Sequence, residues 1–251
     1  MFDVGDVVDG HTICLKALVG SHNYNLNTAK SDKDYKYFVW PTFDDLYEHK
    51  MYHKDVVTET EDYTIHDIRK LPMLLWKANL NFIEILYSQY IDGDKELVSY
   101  LTVNRMLLAT MNLHGLYNAA VGMSFEKEKL MTKDSPARHE AIEEYGYDPK
   151  SACHAYRVLN FLCKYHDTES MEQAFWYSSS PMSNRKFLLD IKAGTFSLEA
   201  VRQMIHGIRA NVTENCKEKF CSYESDEETY NALQNWLKDR IRQRIVEKKI
   251  N

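Results

Sequence analysis

The chain has 251 residues, 44% of them hydrophobic, and a formal net charge of −6. That length and composition predict an ordinary globular protein with one large domain or two small ones. The acidic balance excludes indiscriminate binding to nucleic acid or an anionic membrane, so a nucleic-acid partner would need a local basic groove.

The opening "MFDVGDVVDG" carries acidic residues where a signal peptide has a basic and then an apolar region. No apolar run approaches the roughly 20 residues that a membrane span needs. Five cysteines fit reduced thiols better than a disulfide scaffold. The expectation is a cytoplasmic protein with no membrane partner. Cys153, His154, Cys163 and His166 cluster in sequence, but without the tight C-x-x-C pairing of structural zinc sites, so buried, inert thiols are expected.

In "HTICLKALVG", Ile13, Leu15, Ala17 and Val19 recur at period two, which predicts a strand that stops at Gly20. "SHNYNLNTAK" is polar and turn-prone, with a short helix expected from Ser21 to about Leu26. "DKDYKYFVW" reads as a second strand, ended by Pro41. A polar stretch follows, and then "EDYTIHDI" reads as a third strand. From Ile68 the period turns helical, with Leu71, Leu74, Leu75 and Ala78 on one face, Pro72 in the first turns and Asp67 placed as the N-cap.

Beyond "LNFIEILYSQYI" nearly all of the chain reads as helix. The segments are "NRMLLATMNLHGLYNAAVGM", "SACHAYRVLNFLCKYH", "NRKFLLDIKAG", "SLEAVRQMIHGIRANV" and "ETYNALQNWLKDRIRQRIVEKKI". Gly194 stops one helix and Ser197 caps the next. The fold class expected is α+β, with a mixed sheet and flanking helices in residues 1–100 and a helical domain in residues 101–251.

Residues two apart on a strand share a face, so Asp32 and Asp34 are expected to project together. Two such carboxylates repel unless a cation lies between them, and Mg2+ or Mn2+ suits oxygen ligands that face substrate phosphates. Gly20 lets the backbone approach a ligand closely. The N–H groups opening the expected helix, with the Ser21 hydroxyl, would attract phosphate oxygens.

"GSHNYNLNTAKSDKDYKYFV" resembles the GS…D-x-D signature of the DNA polymerase beta nucleotidyltransferase superfamily. More narrowly it is similar to the bacterial and phage branch of predicted nucleotidyltransferases, whose motif runs G-S-x-x-Y-G-L-x-T-x-x-S-D-x-D-[YF]. Gly20, Ser21, Tyr24, Leu26, Thr28, Ser31, Asp32, Asp34 and Tyr35 match. Asn25 stands where the family usually has glycine, and asparagine enters the left-handed region more readily than other residues with a side chain, so the turn is expected to survive. "DYTIHDIRKLPMLLWKANLNFIEIL" resembles the branch's strand and helix segment, with Leu80 where proline is common. "KSACHAYRVLNF" is similar to its K-x-x-x-H-x-x-R helix, and "LLDIKAGTFSLEAV" to its later glycine turn.

The resemblance implies a metal-dependent nucleotidyltransferase that binds ATP or another nucleoside triphosphate and releases pyrophosphate. It implies a catalytic set of Asp32, Asp34 and a third carboxylate. Asp62, within the third strand, is favoured for that place, and Asp67 is the alternative, since capping a helix is a sufficient structural job. Gly20, Ser21 and Ser31 would bind nucleotide. Lys150, His154 and Arg157 recur at near-helical spacing and would reach phosphates or the acceptor, against the plainer reading of a snorkelling lysine, a core histidine and an ion pair. Glu84, on an apolar helix face, is expected to be a buried partner for a cation rather than a site carboxylate. The basic run "KDRIRQRIVEKK" reads as a solvated helix face with Trp236, Leu237, Ile241 and Ile245 inward, and less readily as a nucleic-acid strip. The acceptor expected is an RNA or tRNA 3′ end. A protein hydroxyl, or a non-catalytic nucleotide-binding module, are the competing readings.

Overall fold

The structure is a computed structural model that describes residues 2–29, 31–57, 62–180 and 183–247. Six strands are β1 (Val7–Val8), β2 (His11–Val19), β3 (Asp34–Val39), β4 (His53–Val57), β5 (Asp62–Asp67) and β6 (Ile91–Gly93) among the described residues. They form one mixed sheet in the order β1-β2-β3-β5-β4, with β6 also on β2. β2 runs antiparallel to β3, with Val19 opposite Asp34 and an irregularity between Ile13 and Leu15. β3 and β5 are parallel, Tyr35 lying beside Tyr63 and Val39 beside Asp67. β4 closes the far edge, antiparallel to β5.

The helices that follow the strands in this part of the chain are short: α1 (Phe43–Tyr47), α2 (Leu71–Trp76), α3 (Leu80–Ile83), α4 (Lys95–Val103) and α5 (Arg105–Thr110). Local chemistry ends and begins them. Thr42 and Asp45 form a reciprocal capping box at α1. Pro72 sits in the first turn of α2, where its missing N–H costs no helix bond. The helical series continues with α6 (Leu113–Leu130), α7 (His139–Tyr145), α8 (Pro149–Thr168), α9 (Met171–Phe175), α10 (Arg185–Lys192), α11 (Leu198–Asn211), α12 (Lys217–Cys221) and α13 (Glu227–Glu247). Gly194 takes φ +71 after α10, and the Ser197 hydroxyl accepts the Ala200 N–H at 3.2 Å to open α11.

The α+β class and the strands at His11–Val19 and Asp62–Asp67 are those the sequence predicts. Three features differ. The strand expected to open at Asp32 opens at Asp34. The helix expected over Ser21 to Leu26 is a single 3-10 turn, Gly20–His22, because Asn25 enters the left-handed region at φ +60 and stops any continuation. The long helix expected from Asn104 is broken at Met111 and Asn112, between α5 and α6.

The chain packs as two compact units. The first holds Met1–Asn23, Ala29–Asn112 and Ser225–Asn251, and the second holds Tyr24–Thr28 and Leu113–Glu224. Residues 101–112 and the C-terminal helix α13 therefore group with the sheet, where a division at residue 100 puts them with the helices. Within the first unit, Val8, Ile13, Tyr37, Val39 and Ile65 form an apolar cluster, with Phe2, Tyr35, Tyr52 and Tyr63 packed against it. Tyr35, Tyr37 and Val39 alternate along β3 with Asp34, Lys36 and Phe38, so this cluster lies on the face opposite Asp34. α13 buries Leu233, Leu237 and Ile241. Within the second unit, α8 supplies a nearly continuous buried face from Ala152 to Leu162. Among the described residues no helix is long and apolar enough to cross a membrane.

Candidate active site

The site in the first unit starts from a backbone conformation. Gly20 follows β2 with φ +71, a region that a Cβ disfavours. A Cβ there would stand 2.4 Å from Asp34 Oδ2. The sheet register explains the closeness, because Val19 pairs with Asp34 and the next residue must pass over the Asp34 side chain as β2 ends. Glycine is thus required twice at this position, for its dihedral and for the space beside the carboxylate.

The turn is gripped from the segment after α3. Glu84, 3% exposed, accepts the Gly20 N–H on Oε2 at 3.1 Å. Asn23, 1% exposed, donates Nδ2–H to the Glu84 carbonyl at 3.3 Å and accepts the Gln89 N–H at 2.8 Å. The Ser88 hydroxyl donates to the Leu18 carbonyl at 2.7 Å, and the Leu18 N–H donates to the Tyr90 carbonyl at 2.9 Å. On the other side His22 Nε2 lies 3.0 Å from the Ser31 carbonyl oxygen. A carbonyl only accepts, so that nitrogen carries the proton. This bond ties the turn to the residue before Asp32.

Asp32 is exposed and stands just before β3, while Asp34 is half-buried at the strand's first position. Asp62 opens β5. The parallel pairing of Tyr35 with Tyr63 brings its backbone level with that of Asp34. The Asp62 side chain lies outside the described residues. Asp67 stands beside Val39 at the other end of the pairing, five residues or on the order of 16 Å along the strand from Asp34. It is buried, accepts the Arg69 backbone N–H and Nε–H at 2.9 Å each, and pairs with the same guanidinium through its other oxygen. Asp67 is therefore committed to a cap and an ion pair. Among the described residues no three His, Cys, Asp or Glu side chains gather as a ligand cluster.

Glu84 meets the backbone N–H of Gly20 on Oε2, a partner the sequence reading does not name. The bond spans 64 positions in the chain, so only the oddity of an acid on an apolar helix face signals it. The helix-terminus part of the expected phosphate site is also corrected. A three-residue 3-10 turn has no macrodipole of consequence, and the first of its N–H groups is already given to Glu84.

Lys150, His154 and Arg157 lie on α8 in the second unit, and they do not behave as one group. Lys150 is exposed on the opening turn, whose N–H groups Asp148 caps. His154 Nε2 contacts Met123 Sδ at 3.2 Å. Burial pushes its pKa well below the usual histidine value, and the charges of Arg157 and Lys127 add to this. The ring is held neutral, as a core histidine is. Arg157 meets the GS…D-x-D segment, its guanidinium standing 3.7 Å from the centroid of the Tyr24 ring. Asn25 anchors the same stretch: its Nδ2–H donates to the Tyr177 carbonyl at 2.7 Å, and Arg185 Nε–H donates to the Asn25 carbonyl at 2.7 Å. The basic run at the C-terminus is divided. Arg240 turns inward to pair with Asp94 at 3.0 Å, with Arg244 3.9 Å from the same carboxylate.

A family model described as RlaP, RNA repair pathway DNA polymerase beta family, matches residues 7–239. The chain belongs to that family. Membership implies nucleotidyltransferase activity and associates this RNA repair polymerase beta family protein with RNA. No curated protein and no solved structure matches the chain.

Proposed function

We propose that the chain transfers a nucleoside monophosphate from a nucleoside triphosphate to the hydroxyl at an RNA or tRNA 3′ end. The acceptor oxygen attacks the α-phosphorus, the bond from that phosphorus to the bridging oxygen breaks, and pyrophosphate leaves. The observation that carries this reading is the close approach of Gly20 to Asp34, which leaves a cradle beside a carboxylate where any side chain would intrude.

The oxygen donors of Asp32 and Asp34, beside that cradle, fit a hard divalent ion such as Mg2+ or Mn2+ in kind. Such an ion, when bound, supplies charge neutralisation for the triphosphate and lowers the pKa of the attacking hydroxyl. Asp32 and Asp34 would hold it. Asp62 is the favoured third carboxylate and would take the hydroxyl proton, because Asp67 is occupied by Arg69 and far along the strand. Gly20, Ser21 and Ser31 would lie against the triphosphate. Lys150, on α8 of the second unit, has an exposed side chain.

The test is incubation with labelled triphosphates, Mg2+ and a mixed RNA and protein extract. Label is expected in the RNA pool and absent with the Asp32→Ala, Asp34→Ala double variant, whose melting temperature should match the wild type. Label in protein would replace the acceptor. Nucleotide binding with only background pyrophosphate release would make the chain a binding module.

A further inference from the structure

The chain carries a net charge of −6, so an RNA acceptor needs cations gathered locally near the reacting group. The sheet register shows which side chains share the face of Asp34. Asp34, Lys36 and Phe38 alternate along β3, and Thr64 and His66 lie beside Lys36 and Phe38 on β5. The ring contact of Phe38 with His66, centroids 5.5 Å apart, agrees with a common face. Lys36 is half-buried, and its ammonium stands 4.9 Å from the centroid of the Phe82 ring, which also packs against His66 at 5.4 Å. Other lysines of the first unit hold acids: Lys16 pairs with Asp3, Lys50 with Glu48 and Lys54 with Asp9. Lys36 and Lys70 have no ion pair among the described residues, yet both bear on one buried ring. Burial and the charges of Lys36, His53 and Lys70 lower the His66 pKa to about 4. The ring is 8% exposed, and its Nε2 has no hydrogen-bond partner among the described residues. The acid at this end of the sheet, Asp55, is already met by His53 at 2.9 Å and by Thr64. Two unpaired ammonium groups repel where they converge, and an anion between them relieves the repulsion.

We propose that Lys36 and Lys70 contact the phosphate backbone of the RNA acceptor, on the sheet face shared with Asp34 and beyond the reacting hydroxyl. His66 stands level with Phe38, four residues or on the order of 13 Å along the strand from Asp34. An extended polyanion spans that distance from its 3′ end, whereas a protein hydroxyl brings no phosphate to the place. The triphosphate belongs elsewhere, against Gly20 at the end of β2. The inference rests on the nucleotidyltransferase reading for the acceptor's role, but RNA binding by the two lysines is measured without turnover.

The probe is a labelled single-stranded oligoribonucleotide of mixed sequence with a free 3′ hydroxyl, titrated against the full chain without nucleotide at several salt concentrations. The Lys36→Ala, Lys70→Ala double variant is expected to bind it about tenfold or more weakly, with the slope of log affinity against log salt shallower by about 0.7 for each lysine removed. Lys36→Arg with Lys70→Arg keeps both charges and should stay within about threefold of wild type, its slope unchanged. Triphosphate affinity should equal that of the wild type in both. Lys238→Ala, which removes an exposed lysine of α13, should leave the slope as it is. An unchanged slope in the double alanine variant overturns the proposal. So does an equal loss in Lys238→Ala, which would assign the effect to net charge, and so does lost triphosphate affinity with RNA affinity kept, which would give the lysines to the nucleotide. If the double alanine variant has no melting transition, Lys36→Gln and Lys70→Gln decide singly, each slope expected to be shallower by about 0.7 and an unchanged one overturning the contact. RNA bound through the two lysines while the wild type labels no acceptor keeps the contact and fails the transfer reading. Label in protein, with RNA affinity insensitive to both lysines, does the reverse.

Discussion

Residues 20–23 and 24–28 are adjacent in the chain and are held by different partners. The first stretch is fixed by polar bonds, the Gly20 N–H donating to Glu84 and the Asn23 side chain accepting the Gln89 N–H. At Gly20 it lies against the Asp34 carboxylate. The second stretch is fixed through side chains and backbone carbonyls together, the Tyr24 and Asn25 carbonyls accepting from the Tyr177 N–H and from Arg185. Tyr24 is 2% exposed beneath the Arg157 guanidinium, with the Phe175 ring 5.7 Å away, and Asn25 reaches the Tyr177 carbonyl. Leu26 is buried, and its carbonyl accepts from Lys192 at 3.1 Å. One half of the segment lies beside the proposed site and the other half is an anchor in the second unit. A substitution that is fatal in one half should be absorbed in the other.

The strongest way to break this contrast is Gly20→Ala. Its methyl group would stand 2.4 Å from Asp34 Oδ2, in a backbone region that alanine disfavours. Displacing the carboxylate proposed as a metal ligand on this scale is expected to cost about 100-fold or more in single-turnover transfer. Backbone strain should lower stability by about 1–2 kcal/mol, read from denaturant unfolding. Full activity in a folded Gly20→Ala would remove the cradle from the site.

The anchoring half predicts the reverse. Asn25→Ala keeps φ +60 without the tolerance of asparagine and loses the bond to Tyr177, so it should destabilise by about 1–2 kcal/mol while kcat changes little. Asn25→Gly loses the same bond but relieves the dihedral, and should stay within about 1 kcal/mol of wild type. Arg157→Ala, which strips the cation from the Tyr24 face, should cost about 1 kcal/mol in the same assay. A loss of transfer in Asn25→Gly larger than its loss of stability would show that the anchor also shapes the site.

These positions also divide what is legible in the sequence. The period-two run of β2, the stop at Gly20, the Asp67 cap and the Ser197 restart are local, and each is visible in a handful of residues. Asn25 is legible for the same reason, since its left-handed turn depends on its own side chain. What escapes is non-local or lacks a pattern. β4, "HKDVV", is an edge strand with polar residues on both sides of the chain and no alternation to mark it. β6 has three residues and exists through its pairing with β2. The break between α5 and α6 has neither glycine nor proline at Met111 and Asn112, where the Asn112 side chain donates to the Trp76 carbonyl at 2.8 Å. The grip of Glu84 on Gly20 and the membership of Tyr24–Thr28 in the second unit both depend on partners far along the chain.

The smallest effect compares a buried histidine in each unit. His66 lies in the first unit among the rings of Phe38, Phe82 and His53, at centroid distances of 5.5, 5.4 and 5.0 Å. Burial lowers its pKa to about 4, helped by the charges of Lys36, His53 and Lys70 and opposed by Asp55. In the unfolded chain a histidine titrates near 6.5, so between these values the unfolded state binds the extra proton. Stability from this group is therefore complete above about pH 6.5 and is lost as pH falls toward 4. From pH 7 to 6 the slope should be shallow, below the roughly 1.4 kcal/mol per pH unit that one full proton supplies. His154 shares the direction in the second unit, so the wild type should lose stability on acidification in both units. His66→Phe suits the surrounding rings and removes one titrating group, and should flatten the acid slope without lowering stability at pH 7. An undiminished slope in that variant would mean that His66 takes up its proton as readily in the folded protein as in the unfolded chain, and that the ring cluster is open to water.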